Sequence, residues 1–272
     1  ACEPGFQKDM DISEEYAKRQ ATVTNKAVYI IGRTAGEDKD NYNGKGSYLL
    51  TDEEKENLKN ITSAFEEVCV VLNVSNIIDM QWMNEEQFKG HIKAVLIVWQ
   101  GGMEGGNAVV DILSGKATPS GKLPDTIAED LEAYPSYENF GNPITNLYKE
   151  DIYVGYRYFE SAAKSKVLYP FGFGLSYTTF SMEADGFSYA ENQVSFVMKV
   201  TNTGSVAGKE VVQVYAKAPL GKLGKPARVL IDFKKTKELM PGECETLTFA
   251  IPTSVFASYN EVSTAGMPVG WV

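Results

Sequence analysis

The sequence predicts two folds in series: an α/β layer on a mostly parallel sheet, then an all-β sandwich. Three observations predict them. The first half carries three continuous apolar runs separated by segments with helical spacing. A junction rich in glycine and aromatic residues follows at 170–177. Beyond it, short runs alternate apolar and polar residues, and no helical pattern returns. A chain of 272 residues has room for about two domains, and the change of character places them at 1–169 and 170–272.

The apolar runs are Lys26–Arg33 (KAVYIIGR), Glu67–Asn73 (EVCVVLN) and Lys93–Trp99 (KAVLIVW). Without polar alternation they read as central parallel strands buried on both faces. Between the first two, Thr51 as N-cap with Glu54 three residues on forms a capping box. Leu58, Ile61, Ala64 and Phe65 then fall at helical spacing. Asn84–His91 is expected as a shorter helix, and Glu104–Leu113 as another, closed by Gly115. Strand–helix–strand repetition means a parallel sheet with helices on its faces. After the junction, Val194–Thr201, Glu210–Lys217 and Glu245–Pro252 alternate as half-buried strands do. A turn is expected at Asn202–Ser205. Strands at this spacing build a β-sandwich.

Composition removes several classes of function. The chain is 43% hydrophobic and 23% charged, which fills packed cores and does not resemble a disordered chain. A net charge of −10 argues against nucleic-acid binding, which needs a basic patch. It also disfavours polyanionic substrates, while a neutral sugar would not be repelled. No apolar stretch reaches the roughly 18 residues of a membrane span. The three cysteines, Cys2, Cys69 and Cys244, are odd in number and form no CxxC pair, so neither a disulfide framework nor a zinc site is expected. Cys69, inside an apolar run, reads as a buried thiol. The single histidine, His91, reads as a surface or packing residue. The opening residues read as chain interior with no leader, and a cytoplasmic setting is favoured.

Four segments could carry chemistry. Gly32–Asn41 (GRTAGEDKDN) follows the first strand, where ligands gather in open α/β sheets. Its glycines allow a tight exposed loop with Glu37 at the tip, and a carboxyl group there could act as a general acid. A solvated loop glutamate is the plainer reading of that residue alone. Glu37, Asp38 and Asp40 would repel phosphate, and no phosphate fingerprint is present. Trp99–Ala108 (WQGGMEGGNA) joins a strand to a helix, and its glycines are explained by packing. Pro119–Pro124 (PSGKLP) is turn-rich with no side chain suited to chemistry. Val154–Phe159 (VGYRYF) interleaves aromatics with Arg157. It reads as core, with Arg157 paired to a carboxylate, and as a weaker candidate for stacking on a sugar. The sequons at Asn60 and Asn73 fall on a helix and at a strand end, where chance explains them.

Together these segments resemble the C-terminal half of glycoside hydrolase family three. The resemblance is carried by GRTAGEDKDN (Gly32–Asn41), SYLLTDEE (Ser47–Glu54) and WQGGMEGGNAVVDILSGKATPSGKLPDT (Trp99–Thr126). It continues in YKEDIYVGYRYFE (Tyr148–Glu160), LYPFGFGLSYTTF (Leu168–Phe180) and VTNTGSVAGKEVVQVY (Val200–Tyr215). It implies that 1–169 is the family's three-layer α/β sandwich domain and 170–272 its immunoglobulin-like, fibronectin type III-like domain. It also implies that the sandwich lacks its opening strand and the second domain its last one.

In the bacterial β-glucosidase branch the acid/base is the glutamate of a loop reading roughly GEGxDR, which aligns with Glu37. The chain departs from that loop at Asp38 and Asn41. Only Glu37 is therefore carried over as catalytic; Asp38, Asp40 and Arg157 are candidates for holding substrate. The nucleophile aspartate would sit on a barrel domain that nothing here matches, and that barrel is the implied partner. Retaining hydrolysis of terminal β-linked sugars would follow, with no metal or organic cofactor. Two rivals stand beside this reading. One is a non-catalytic module binding carbohydrate or protein. The other is a flavodoxin-like nucleotide or flavin binder, which the acidic loop opposes.

Overall fold

The computed structural model describes residues 10–33, 40–218, 223–260 and 269–271. The chain forms two compact units, Ala1–Val110 with Ile127–Leu131 and Asp111–Thr126 with Glu132–Val272.

The first unit runs α1 (Glu14–Ala21), β1 (Lys26–Gly32), α2 (Asp52–Ala64), β2 (Glu67–Asn73) and β3 (Ile92–Ile97). It then enters α3 (Gly105–Leu113) and returns for the short strand β4 (Ile127–Ala128). The sheet order is β1-β2-β3, all parallel, with Tyr29 beside Val70 and Val70 beside Val95. The capping box is present: Glu54 N donates to Thr51 Oγ1 at 3.0 Å, and Thr51 N donates to Glu54 Oε2 at 2.7 Å. Leu58 and Ile61, one turn apart, are buried. Asn57 Nδ2 donates to Tyr29 Oη at 3.3 Å, which sets α2 on the face carrying Tyr29 and Ile31. Burying each such Leu or Ile contributes about 1.5–3 kcal/mol.

Two sequence expectations need correction here. Burial on both faces holds only for β2, the middle strand. β1 lies at the sheet edge, and its Val28 and Ile30, opposite in sense to Tyr29 and Ile31, are exposed. Nor is there a helix at 84–91. A 3₁₀ turn spans Gln81–Asn84, followed by further turns in which Phe88 N and Lys89 N both donate to Glu85 O. Buried Trp82 and Phe88 meet edge to face at 6.5 Å, and Trp82 Nε1 donates to Asp79 O at 2.8 Å. Two large anchors this close hold the chain in turns that a continuous helix would break. His91 is exposed at their end.

The second unit contains α4 (Tyr156–Ala162), β5 (Val167–Tyr169), β6 (Phe180–Ala190), β7 (Gln193–Asn202) and β8 (Val211–Ala216). β9 (Val229–Lys235), β10 (Cys244–Pro252), β11 (Tyr259–Asn260) and β12 (Gly270–Trp271) complete it. Two antiparallel sheets, β10-β7-β6 and β8-β9, form an immunoglobulin-like sandwich. Phe196 and Val200 of β7, Leu247, Phe249 and Ile251 of β10, Val212 of β8 and Leu239 form its buried core. The alternation read along β10 is complete: Leu247, Phe249 and Ile251 are buried and their neighbours are not. Asn202, expected at a turn, instead ends β7 fully buried.

The turn-rich segment 119–124 and the junction 170–177 meet in this unit. Leu123 N donates to Phe173 O and Gly172 N to Leu123 O, both at 2.8 Å. Lys122 Nζ reaches Gly174 O at 3.0 Å and Glu210 Oε1 at 2.7 Å. A Cβ on Gly174 would overlap Gly121 O, and one on Gly172, at φ 79°, would overlap the Gln213 side chain. Glycine at these two positions is therefore a packing requirement. Upstream of the same joint, Thr118 Oγ1 donates to Ala207 O at 2.6 Å.

Candidate active site

Glu37 and Asp38 lie outside the described residues. What the structure does describe is how both stems of their loop are held. On the strand side, Arg33 N continues the β1–β2 ladder by donating to Asn73 O at 3.0 Å. The Arg33 side chain then turns inward. Both terminal nitrogens bind the Glu54 carboxylate, Nη2 to Oε2 at 2.7 Å. Nε donates to Ser47 O at 3.2 Å and Nη2 to Leu49 O at 3.4 Å. The side chains are 11% and 1% exposed, so this is a buried, forked ion pair with its remaining protons satisfied. Glu54 thus serves twice, as N3 of the capping box and as the counter-ion of Arg33.

On the far side of the loop, Asp40 is exposed. Asn41 Nδ2 donates to Ile77 O at 2.7 Å. Ser47 Oγ lies 3.3 Å from Asn41 Oδ1 and accepts from Tyr42 N at 3.1 Å. Ser47 therefore grips both stems, through its carbonyl to Arg33 and its hydroxyl to Asn41. Sequence reasoning identified Glu54 as a cap and Asn41 as a departure from the family loop, but not this network. The available signal was a charged Arg33 ending an apolar strand, where an unpaired guanidinium could not be buried.

The surroundings are weakly perturbed. Burial pushes the Asp79 carboxyl above its usual value, against a 2.9 Å hydrogen bond from Gln81 N and the positive Lys55. Burial likewise raises the half-buried Cys69 thiol. Trp99, which heads the WQGG segment, adopts φ 52°, a conformation costing a non-glycine residue about 1–3 kcal/mol. Its side chain borders an apolar cavity of about 10 Å³ shared with Leu72, Val74, Met80 and Ile97, far too small for a sugar. Among the described residues no group of three or more His, Cys, Asp or Glu side chains could hold a metal ion. No helix among them is long and apolar enough to cross a membrane.

Arg157 lies on α4 in the second unit. Its guanidinium stands 6.0 Å from the Tyr156 ring centroid, and its Nε is buried without a hydrogen-bond partner. The ion pair expected of it belongs instead to Arg228, whose Nη2 meets Glu160 Oε1 at 2.5 Å. The physical reason is a competing cation: Arg228 also stacks over Tyr215 at 4.8 Å and so occupies the carboxylate. Of the motif read as core, Phe159 is buried, Tyr156 and Tyr158 are half-buried and Val154 is exposed. Tyr156 stacks on Phe171 at 4.5 Å, and Tyr156 Oη accepts from Leu230 N at 2.7 Å.

A parallel α/β layer followed by an immunoglobulin-like sandwich is the arrangement that the family resemblance implies. The comparisons agree. The model for the glycosyl hydrolase family 3 C-terminal domain matches residues 5–177, and that for a fibronectin type III-like domain matches 210–270. The chain belongs to glycoside hydrolase family three. It is 48% identical to a β-glucosidase of Ruminococcus albus over 99% of its own length and 28% of that protein's. It is 40% identical to β-glucosidase A of Butyrivibrio fibrisolvens, covering 95% and 36% respectively. Among solved structures, a β-glucosidase from Paenibacillus barengoltzii superposes with a TM-score of 0.91 at 53% identity, over 94% of this chain and 28% of that one. β-Glucosidase 3B from Thermotoga neapolitana in complex with glucose gives 0.84 at 38%, over 91% and 35%. The chain therefore spans about a third or less of the relatives it matches.

Proposed function

We propose that this chain supplies the general acid/base of a retaining β-glucosidase, with Glu37 in that role and the nucleophile aspartate on the family's barrel domain. The observation that carries the reading is the double anchorage of the Glu37 loop. General acid catalysis needs a carboxyl group held within hydrogen-bond reach of the leaving oxygen. The Arg33–Glu54 pair and the Ser47 bridge fix where the loop leaves and rejoins the fold. In a retaining site the two carboxyl groups stand about 5–5.5 Å apart. Glu37 would protonate the departing glycosidic oxygen and then take a proton from the attacking water. Asp38 and Asp40 are the candidates for sugar hydroxyls, and Arg157 is left to packing. Residues 1–169 and 170–272 would be the two domains of this part of the enzyme.

The test is hydrolysis of aryl and alkyl β-glucosides by the chain alone and by a full-length chimera. In the chimera the chain replaces its counterpart in the Ruminococcus relative. The chain alone is expected to be inactive and the chimera active. Glu37→Gln should lower kcat by roughly 10²–10⁴ on an alkyl glucoside and far less on a dinitrophenyl glucoside, whose leaving group needs no proton. Turnover by the chain alone would place a second carboxylate within these residues and sink the split-site reading.

A further inference from the structure

Residues 134–155 of the second unit contain neither helix nor strand. Compact domains seldom tolerate an irregular stretch of that length without a use for it. This one is nevertheless shaped. Asn142 Oδ1 accepts from Ile144 N at 2.9 Å and Thr145 N at 3.0 Å. Lys149 N donates to Leu147 O at 2.9 Å and Tyr153 N to Glu150 O at 2.8 Å. Tyr153 Oη is tied to Gly224 O, and Asp151 is held at φ 49°.

The side chains this framework displays are the wrong kind for water. Phe140, Ile144, Leu147, Tyr148, Ile152 and Val154 are all exposed, Ile144 by 90% and Tyr148 by 80%. Isolated exposed apolar residues are ordinary, but a concentration of large ones marks a surface meant to be covered. Resting on the split-site reading above, we infer that segment 140–154 docks against the polypeptide that the family relatives carry beyond this chain. Two observations select that occupant. Nearly the whole chain aligns with the Ruminococcus β-glucosidase, yet it accounts for only 28% of that protein. The same segment is thus embedded there in a much larger molecule. A second copy of this chain is disfavoured because each copy carries a net charge of −10, and like charge opposes self-association. A sugar is a poorer fit as well, since four of the six side chains are aliphatic and offer no aromatic face or hydrogen-bonding edge.

The test compares one substitution in two settings. Ile144→Asp and Tyr148→Asp are placed in the 272-residue chain and in the full-length chimera, with Val23→Asp, in the exposed turn after α1, as control. An aspartate at a solvent-facing site changes little, whereas one forced into an apolar interface is strongly unfavourable. In the chain alone, thermal midpoints should move by less than about 1 °C, while in the chimera both variants should lower the midpoint by about 4 °C or more. The control should move neither. Equal shifts in the two settings would overturn the docking surface, as would a dimer of the chain alone that Ile144→Asp dissociates. Should the chimera misfold, the substitutions are repeated at the aligned positions of the intact Paenibacillus enzyme, with the same outcomes decisive. Activity separates the two ideas. A chimera whose kcat ignores Glu37→Gln but whose midpoint falls with Ile144→Asp keeps the docking surface and removes the acid/base assignment. The opposite pattern keeps Glu37 and removes the docking surface.

Discussion

Each unit buries a polar hub whose construction differs from the other's. In the first unit Arg33 and Glu54 bring opposite charges together in a pair almost wholly removed from water. In the second, fully buried Asn202 is neutral and serves one hydroxyl and three backbone groups. Its Oδ1 accepts from Thr178 Oγ1 at 2.7 Å and Gly204 N at 3.1 Å, and its Nδ2 donates to Val206 O and Leu239 O, both at 2.8 Å. A charged pair can in principle be replaced as a pair, because removing both partners removes the desolvation cost of both. A neutral amide serving backbone groups cannot, because the groups it satisfies remain buried when it is gone. The first hub holds the point where the chain leaves β1. The second holds the sandwich itself.

The sharpest way to break that contrast is Glu54→Ala. It strands the Arg33 cation and removes the acceptor for Thr51 N, half of the capping box, and should destabilise the first unit by about 3–5 kcal/mol. Asn202→Ala leaves two carbonyls, an N–H and a hydroxyl without their partner and should cost about 2–4 kcal/mol, read by urea unfolding. The double replacement Arg33→Met with Glu54→Leu sharpens the comparison. It should recover more than half of the Glu54→Ala loss, whereas no single or paired change at Asn202 and Thr178 should do the same. If the double replacement is as damaging as Glu54→Ala, the carbonyls of Ser47 and Leu49 matter more than the ion pair.

The smallest effect concerns Asp79, a lone carboxyl in the first unit. Because burial raises its pKa above 3.8 in the folded state, both states bind its proton below that pH. As pH rises the unfolded chain ionises first, so this group's contribution to stability falls between 3.8 and the raised folded value and levels off above it. Asp79→Asn, which retains an acceptor for Gln81 N, should flatten that decline and leave neutral-pH stability equal to or slightly above wild type. A pH series of urea midpoints for the two proteins checks it.

Much of this architecture was legible in the sequence because its signals are local. The Thr51–Glu54 box sits within one turn, the β2 run coincides with the strand, and β10 alternates without a fault. What was not legible depends on distance along the chain. Arg33 meets Glu54 across 21 residues, and nothing in either neighbourhood announces the pairing. The burial expected for β1 failed because an apolar run does not say whether its strand is central or at an edge. Asn84–His91 misled because helical spacing also suits a run of turns anchored by Trp82 and Phe88. β6 went unread because its alternation, Phe180, Met182 and Ala184 and then Phe187 and Tyr189, changes phase at Gly186, where the register with β7 shifts. At the site, the loop was found by its position after β1, but its anchors Ser47 and Arg33 were not.

The joint between 119–124 and 170–177 also sets a schedule for synthesis. Thr118 finds its acceptor, Ala207, only 89 residues later, and Lys122 must wait as long for Glu210. At roughly 5–20 residues per second a ribosome takes about 4–18 s to deliver them. During that interval Pro119–Pro124 emerges with its permanent neighbours still unmade. With Leu123 its one large apolar residue, the stretch can idle in water with little to recruit the wrong apolar partner, which a strand of the sandwich core could not.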